Sequence, residues 1–525
     1  MQMATEVQMS ARQFSVKNPA SGEILRDFVC ASPVDVSNAV SRARSAQPAW
    51  EQTPLIKRLA ALKQFQRLLS ERKQQIARAI TSESGKPYAE ALLSEILVAL
   101  DTTRFLLSES YGILRATPVP HGNLATKTKR GQLIREPYGV LGIISPWNYP
   151  FAIPASQSMA ALVTGNAVVL KPSELTPLSA LELSSLFRDA GFPENVFQLV
   201  LGDGSTGAAL VESDIDKLIF TGSVATGKRI AQTAAARLLP VVLELGGKDP
   251  MMVLDDADIE VASSGAVWAA FVNAGQTCLS VERCYVHRSI YESFVSLCAK
   301  KAAQLRLGDG REPATDMGPL IHERQLQIVE QHVEDARSRG ARILTGGKRM
   351  PSLGPNFYSP TVLADVTHEM LMMREETFGP VLPIMAFDSD DEAVRLANDS
   401  EYGLAASVWT SSRSRGERIA RRINAGTVMV NDAVSCYAIS EAPHGGINAS
   451  GIGRTHGKLG LDEMVRVKYL DVDLLPRLKR PWWYGYGTSM AAAAEGFLDF
   501  QFATKLGRRL TGGIRSIRLI SRRKL

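Results

Sequence analysis

The residue in this chain best placed to do covalent chemistry is a cysteine that follows a helical run. The run closes as Phe271-Val-Asn-Ala-Gly-Gln-Thr-Cys278. Gly275 breaks the helix and leaves the thiol able to face a cleft, where a thiolate would attack a carbonyl carbon. Most intracellular cysteines are small buried hydrophobes, so the neighbours must decide. Leu243-Glu244-Leu245-Gly246-Gly247-Lys248 sets a carboxylate at the end of an apolar strand and before two glycines, where the carboxyl edge of a parallel sheet opens on a ligand crevice. Glu244 is therefore a candidate general base. Ser145-Pro146-Trp147-Asn148-Tyr149-Pro150 follows the strand-like run VLGIIS, and its prolines hold the backbone rigid. Asn148 is a candidate donor to an oxyanion, although such a turn also serves as a plain Asx turn.

The elements that must position these groups are legible as pattern. From about residue 34, apolar residues recur at helical spacing (Val36, Ala39, Val40, Ala43, then Leu59, Leu62, Phe65, Leu69). From about residue 138, the runs VLGIIS, AVVLK, VFQLVL, KLIFTG and PVVLEL alternate with helix-like segments, which predicts βαβ units and a parallel sheet. This series ends near Gly246-Gly247. A second α/β series is predicted to follow, with helices near 258–274, 289–306 and 321–339 and strands near 283–287, 380–387, 404–409 and 426–431. Residues 120–137 and 463–475 alternate apolar and polar like exposed strands and are read as an excursion for subunit contacts.

The 525 residues, 45% hydrophobic and 22% charged, suit a globular protein of several domains and exclude global disorder or a fibrous repeat. The five cysteines, Cys30, Cys278, Cys284, Cys298 and Cys436, form no C-x-x-C pair. No disulfide framework, zinc ribbon or other metal site is expected. The opening MQMATEVQMSARQF lacks the pattern of an export signal, so a cytoplasmic location is expected. The net charge of +6 is misleading, because residues 476–525 hold eleven Lys or Arg against Glu495 and Asp499. The rest of the chain is slightly acidic, which argues against nucleic-acid binding. The tail reads LKRPWWYGYG, then Phe497, Leu498, Phe502 and Leu506 at partly helical spacing, then GRRLTGGIRSIRLISRRKL. Aromatic residues followed by cationic, apolar-interrupted sequence predict a peripheral contact with an anionic membrane face. Packing on a neighbouring subunit and a disordered basic end are the plainer alternatives.

Further motifs join the first three: Lys171-Pro172-Ser173-Glu174, Phe220-Thr221-Gly222-Ser223 through Gly227, Glu375-Glu376-Thr377-Phe378-Gly379-Pro380, and Pro443-His444-Gly445-Gly446 through Ser450-Gly451-Ile452-Gly453-Arg454. In order and spacing the set resembles the NAD(P)-dependent aldehyde dehydrogenase superfamily, from about residue 14 to about 473. The resemblance implies an α/β fold of two Rossmann-like domains plus a small β oligomerisation element. Residues 1–119 and 138–246 would form the NAD-binding domain and 247–446 the catalytic domain. Residues 120–137 and 463–475 would be oligomerisation strands in a homodimer or homotetramer, with 476–525 as an added tail. It also implies Cys278 as nucleophile, Glu244 as base and Asn148 as the side chain that joins the Cys278 N–H in an oxyanion hole. Lys171 and Glu174 match the positions for the adenosine ribose, Ser223 the pyrophosphate, and Glu376 and Phe378 the nicotinamide ribose and ring. Trp147, Ser173 and Gly222 count with the cofactor residues.

The expected reaction is oxidation of an aldehyde to an acid through a thiohemiacetal and a thioester on Cys278, with weak esterase activity as a side reaction. Glu174 would repel a 2′-phosphate, so NAD is expected, with NADP as the alternative. The literal G-x-G-x-x-G at Gly202–Gly207 is a decoy by the same resemblance. Two departures from the family pattern stand at His444, where Phe is usual, and Asn448, where Lys is frequent; His444 is placed either near the substrate mouth or in packing. Tyr149, Phe151, Ile153, Ala155 and Met159 suggest an apolar substrate channel. A semialdehyde would want a cation such as Arg283 or Arg454. The competing readings are a semialdehyde dehydrogenase, a CoA-acylating enzyme, whose relatives commonly lack the base that Glu244 matches, and a non-catalytic binding module. No motif gives a histidine the role that a Cys-His hydrolase would need.

Overall fold

The computed structural model describes residues 12–477, 480, 482–484 and 486–521; the stretch read for an export signal lies, up to residue 11, outside them. The chain divides into two compact units, residues up to 115 with 135–466, and 116–134 with the chain from 467 onward.

The first unit starts with a hairpin of β1 (Gln13–Lys17) and β2 (Ile24–Val29). Ile24 and Val29 are exposed, so no buried apolar alternation announces the hairpin in the sequence. Helices Pro33–Gln52 and Leu55–Ser84 follow. Ser32 and Asp35 cap the first reciprocally, with Pro33 in its first turn. Strands β3 (Thr117–Val119) and β4 (Lys129–Pro137) lead through the second unit and back.

Next come β5 (Val140–Ile144), β6 (Ala167–Lys171), β7 (Phe197–Leu199), β8 (Lys217–Thr221) and β9 (Val241–Glu244), all parallel. Helices Ala152–Val163, Pro177–Asp189, Gly204–Glu212 and Val224–Ala235 connect them. Every residue of β5, β6 and β8 is buried, which is why they read as near-continuous apolar runs. The strand order is β9-β8-β5-β6-β7. The chain winds one way from β5 and the other way through β8, so the order reverses between these two strands, the place where open α/β sheets bind ligands beyond the carboxyl ends.

The second sheet consists of β10 (Asp249–Val253), β11 (Val281–His287), β12 (Arg342–Thr345), β13 (Thr361–Ala364), β14 (Val381–Phe387), β15 (Ala405–Trp409) and β16 (Thr427–Val430), ordered β12-β13-β14-β11-β10-β15-β16. Only β12 runs antiparallel. Sequence pattern finds β11, β14, β15 and β16 but not β10, whose Asp249-Pro250 start looks like a turn, nor β12 and β13. A short β17 (Gly451–Ile452) returns to the first sheet and pairs antiparallel with β9, Gly451 opposite Glu244. The helix expected over 258–274 is shorter: it spans Ile259–Phe271, and Asn273, Ala274 and Gly275 then take left-handed φ values of 54°, 56° and 74°.

In the second unit β18 (Val465–Asp473) sits at the edge of a three-stranded sheet ordered β18-β4-β3. Helices Thr488–Phe502 and Leu506–Ser521 pair as a hairpin. A Cβ on Gly512 would lie 2.5 Å from the Gly496 carbonyl oxygen, so the two backbones meet closely there. The Ser516 hydroxyl donates to the Ala493 carbonyl at 2.9 Å, and Arg508 pairs with Asp499 at 2.6 Å. Among the described residues no helix is long and apolar enough to cross a membrane.

Candidate active site

Cys278 is half-buried between the buried Thr277 and Leu279. It stands three residues past the left-handed turn, a conformation that costs about 1–2 kcal/mol for a residue such as Ala274 and persists only where the surroundings enforce it. Here they do. The Asn273 amide donates at 3.0 Å both to the Asn148 carbonyl and to the Gln276 carbonyl. The Asn273 N–H donates to Glu90 at 3.0 Å, and Gln276 is anchored by the Ile321 N–H at 2.9 Å. Gly275 is required because a Cβ there would collide with the Gly379 carbonyl. Burial first, then the carboxylates of Glu244, Asp249 and Glu376, push the Cys278 thiol well above its ordinary value.

The Asn148 side chain donates at 3.1 Å to the Gln276 carbonyl, two residues before Cys278. Its turn rests on a buried ion pair that sequence reasoning did not find. Lys86 Nζ lies 2.6 Å from Glu95 Oε1, donates to the Asn148 carbonyl at 3.0 Å and sits 3.8 Å from the centre of the Tyr149 ring. The other Glu95 oxygen accepts the Phe151 and Ala152 N–H groups at 3.0 and 2.8 Å, capping the next helix. Glu95 is carried on a π-helical turn, Leu92–Ile96, a distortion often found at functional sites.

Glu244 ends β9, 4% exposed. Its Oε1 accepts from the Thr455 hydroxyl and its Oε2 from the Thr221 hydroxyl at 3.3 Å. Burial pushes its pKa up, making it a weaker acid, and the Thr455 hydrogen bond opposes that rise. The Gly246-Gly247 link that follows permits two close approaches. A Cβ on Gly247 would lie 2.5 Å from the Cys278 carbonyl oxygen, and one on Gly246 would overlap the Glu376 carboxylate. The link thus joins base, nucleophile loop and the Glu376 loop.

Glu376 accepts the Gly247 N–H at 3.1 Å and is pushed up to about 8 by burial and by Glu282. Glu282, also missed in the sequence, pairs with buried Lys248 and accepts the Thr377 and Phe378 N–H groups, each at 2.8 Å. Phe378, at a left-handed φ of 52°, meets Trp147 edge-on with ring centres 5.4 Å apart. At the reversal between β5 and β8, Gly222 donates its N–H to the Glu244 carbonyl at 3.0 Å, and exposed Ser223 caps the helix Val224–Ala235. Lys171 ends β6 and pairs with Glu174 at 3.3 Å; Ser173 Oγ accepts the Leu175 N–H at 3.2 Å. The glycines of the G-x-G-x-x-G run follow β7, at the sheet's edge, with Asp203 capping the helix Gly204–Glu212.

Two expectations require correction. Phe151, Ala155 and Met159 pack into the core beside the first sheet, Ile153 is equally buried, and the Tyr149 hydroxyl is engaged with Thr277 at 2.8 Å. This helix turns its apolar residues to the core and does not offer them as a channel wall. Of the two candidate cations, Arg283 is fully committed and Arg454 is held through Nη1. The Arg283 guanidinium donates to the Lys248, Leu396 and Ala397 carbonyls at 2.8, 3.1 and 2.8 Å, and Arg454 donates to the Gly446 and Gly453 carbonyls at 2.9 and 2.7 Å. His444 lies beside the base, its Nε2 3.9 Å from Glu244 Oε1, with its ring packed on Tyr437. A second ring, His456, completes that cluster and was not singled out in the sequence.

The model of the aldehyde dehydrogenase family matches residues 7–470. Among curated proteins, a 4,4′-diapolycopene aldehyde oxidase of Methylomonas is 38% identical over 491 residues, covering 92% of this chain and 90% of that protein. A putative NADP(+) succinate-semialdehyde dehydrogenase of Mycolicibacterium smegmatis is 40% identical over 456 residues, 86% of this chain and 87% of that one. Among solved structures, the NAD+ complex of an aldehyde dehydrogenase from Bacillus cereus superposes with a TM-score of 0.85 at 38% identity, covering 88% of this chain and 94% of that one. With nucleophile loop, carboxylate and amide turn gathered at the edges of two α/β sheets, and with these matches across nearly its whole length, the chain belongs to the aldehyde dehydrogenase family.

Proposed function

We propose that the protein oxidises a neutral, apolar aldehyde to its carboxylic acid with NAD, through covalent catalysis at Cys278. The observation that carries this reading is the meeting of two other segments at the loop of one cysteine: Gly247, three residues past Glu244 at the end of β9, abuts the Cys278 carbonyl, and the Asn148 amide donates to the Gln276 carbonyl. The Cys278 sulfur adds to the aldehyde carbon, and the carbonyl electron pair moves to oxygen. The second amide hydrogen of Asn148 and the Cys278 N–H are the donors for that oxyanion. NAD(P), when bound, supplies the hydride acceptor. The thioester left on Cys278 is hydrolysed by a water whose proton passes to Glu244. Burial and the neighbouring carboxylates oppose ionisation of Cys278, so the thiol gives up its proton to solvent water as the sulfur adds.

The residues present fit the cofactor. Ser223 is exposed at a helix start on the reversal point of the first sheet, suited to a pyrophosphate. Trp147 and Phe378 are half-buried rings set edge to face, and Gly246 brings the backbone against the Glu376 carboxylate. Lys171 and Glu174 take the adenosine ribose, with Ser173 bracing their loop. Glu174 favours NAD; the M. smegmatis relative is named for NADP(+), which keeps the phosphorylated form as the second reading.

A neutral substrate is favoured because the groups acting on the Cys278 thiol are carboxylates, and the Arg283 guanidinium is spent on backbone carbonyls. The Methylomonas relative is named for a carotenoid aldehyde and the M. smegmatis one for a semialdehyde. Initial rates of NADH formation with succinic semialdehyde, hexanal, benzaldehyde and dodecanal decide. The highest specificity constants should fall to the long apolar members, and a preference for the semialdehyde overturns the substrate assignment alone.

The second unit supports two contacts. The edge strand β18 exposes Val467, Tyr469, Leu470 and Val472, an edge that pairing with another copy would cover, so a homodimer or homotetramer is proposed. In the tail hairpin, Leu506, Leu510, Ile514 and Ile517 fall on one face of their helix and are exposed, with Arg509 and Arg518 on either side of that stripe. Trp482, Trp483 and Tyr484 are exposed as well. This fits docking on an anionic membrane surface from the cytoplasmic side. Co-sedimentation with anionic liposomes should be lost on truncation after Leu475; equal partitioning of both proteins refutes the contact.

A further inference from the structure

The carboxylate of Glu244 is the centre of a hydrogen-bonded ring that stops short of closing. On one side Thr455 donates to Oε1, and Thr455 Oγ1 lies 3.3 Å from His456 Nδ1. On the other Thr221 donates to Oε2, and Gln157 Nε2 donates to Thr221 Oγ1 at 3.1 Å. Both arms end in a buried atom with no hydrogen-bond partner among the described residues, His456 Nε2 and Gln157 Oε1. Gln157 and His456 line one small, mostly apolar pocket beside Phe105, Leu106, Leu461 and Met464. The pocket has room for about one water molecule.

Proton bookkeeping identifies the missing member. An ionised carboxylate only accepts, so Thr455 spends its single proton on Glu244, and the hydrogen in the contact with His456 must come from Nδ1. A neutral imidazole that donates from Nδ1 carries a lone pair on Nε2. Burial keeps His456 neutral, pulling it down to about 4, and does the same to His444. Gln157 donates through its nitrogen and presents its carbonyl oxygen. Two unpartnered acceptors therefore belong to residues that line a pocket of one-water size, and a small molecule that satisfied both would donate two hydrogens.

We propose that a single water occupies this pocket, donating to His456 Nε2 and Gln157 Oε1, and that His456, Thr455, Gln157 and Thr221 are positioning residues that keep the Glu244 carboxylate aimed and ionised for thioester hydrolysis. The proposal rests on Glu244 being the base. The ring works against burial: two directed hydroxyls stabilise the charged form in a site where Cys278, Tyr437, His444, His456 and Arg454 are the other titratable or charged groups facing the carboxylate. Loosening either arm should make Glu244 harder to ionise, slowing hydrolysis and leaving thioester formation intact.

Two measurements on the full-length protein test this. A high-resolution crystal structure should show one density peak within hydrogen-bond distance of both His456 Nε2 and Gln157 Oε1; an empty pocket, or a peak that touches neither, overturns the water. In stopped-flow NADH formation, Thr455→Val should show a burst of one equivalent per site, kcat reduced about tenfold, KM little changed, and the pH midpoint of the slow phase raised by about one unit. His456→Phe should move the midpoint the same way by less, and Thr455→Ser should restore it. Melting temperatures identify folded variants; should His456→Phe fail to fold, the Thr455→Val and Thr455→Ser pair carries the test alone. Unchanged midpoints in folded variants overturn the positioning role. Glu244→Gln is run in parallel: wild-type turnover there removes Glu244 as the base, while leaving the crystallographic water to be judged by itself.

Discussion

Cys278 and Glu244 are held by different means. Cys278, the proposed nucleophile, is placed by backbone: a left-handed turn at 273–275, packed against Gly379 and tied to the Asn148 turn, with carboxylates as its electrostatic surroundings. Glu244, the proposed base, is placed by side chains: it stands on a regular strand end, and its direction comes from hydroxyls, an amide and imidazoles. Substitutions that disturb backbone support should damage thioester formation, and those that remove hydroxyls near Glu244 should damage its hydrolysis. The two halves of the reaction can then be separated by where a change is made.

The largest effect is expected at the nucleophile. Cys278→Ala should lower both aldehyde oxidation and ester hydrolysis by at least about 10⁴-fold with no NADH burst, and retention of either activity would break the assignment. Glu244→Gln should reduce kcat by about 10²–10³-fold yet keep a burst of one NADH per site, with the acyl group detectable on Cys278 by mass spectrometry. Loss of the burst would mean that the two residues act in one step. Lys86→Met leaves Glu95 buried without its cation and removes a donor from the Asn148 carbonyl, a change worth about 3–5 kcal/mol in chemical denaturation. The double variant Lys86→Met/Glu95→Leu should recover part of that loss but leave the burst rate low. The smallest effect is a difference in pH dependence. Both groups act deprotonated and both are raised by burial, Cys278 further because of the neighbouring carboxylates. Both phases should therefore speed up as pH rises from neutrality, with the burst showing the higher midpoint; the reverse order would contradict the electrostatics.

Much of the first sheet was readable because β5, β6 and β8 are covered on both faces and hence apolar through their middles, while β10 was hidden by an Asp-Pro start that is buried in the sheet. The apolar positions after Asn148 were visible but ambiguous: periodicity tells that Phe151, Ala155 and Met159 face something apolar, and only packing shows that it is the core. His444 carried a weak signal as a departure from the family pattern. His456 carried none, since a lone histidine before a glycine has many uses.

By itself the sequence determined the family and the reaction class, because seven short motifs stand in the order and spacing of the aldehyde dehydrogenases, and through that resemblance it singled out Cys278, Glu244 and Asn148 as the candidate site residues. Tertiary structure alone decided what supports them. The Lys86–Glu95 and Lys248–Glu282 pairs, the commitment of Arg283 to backbone carbonyls, and the ring from Gln157 to His456 all join residues from separate elements. Their energies come from burial and from hydrogen-bond geometry, which exist only once those elements are packed together.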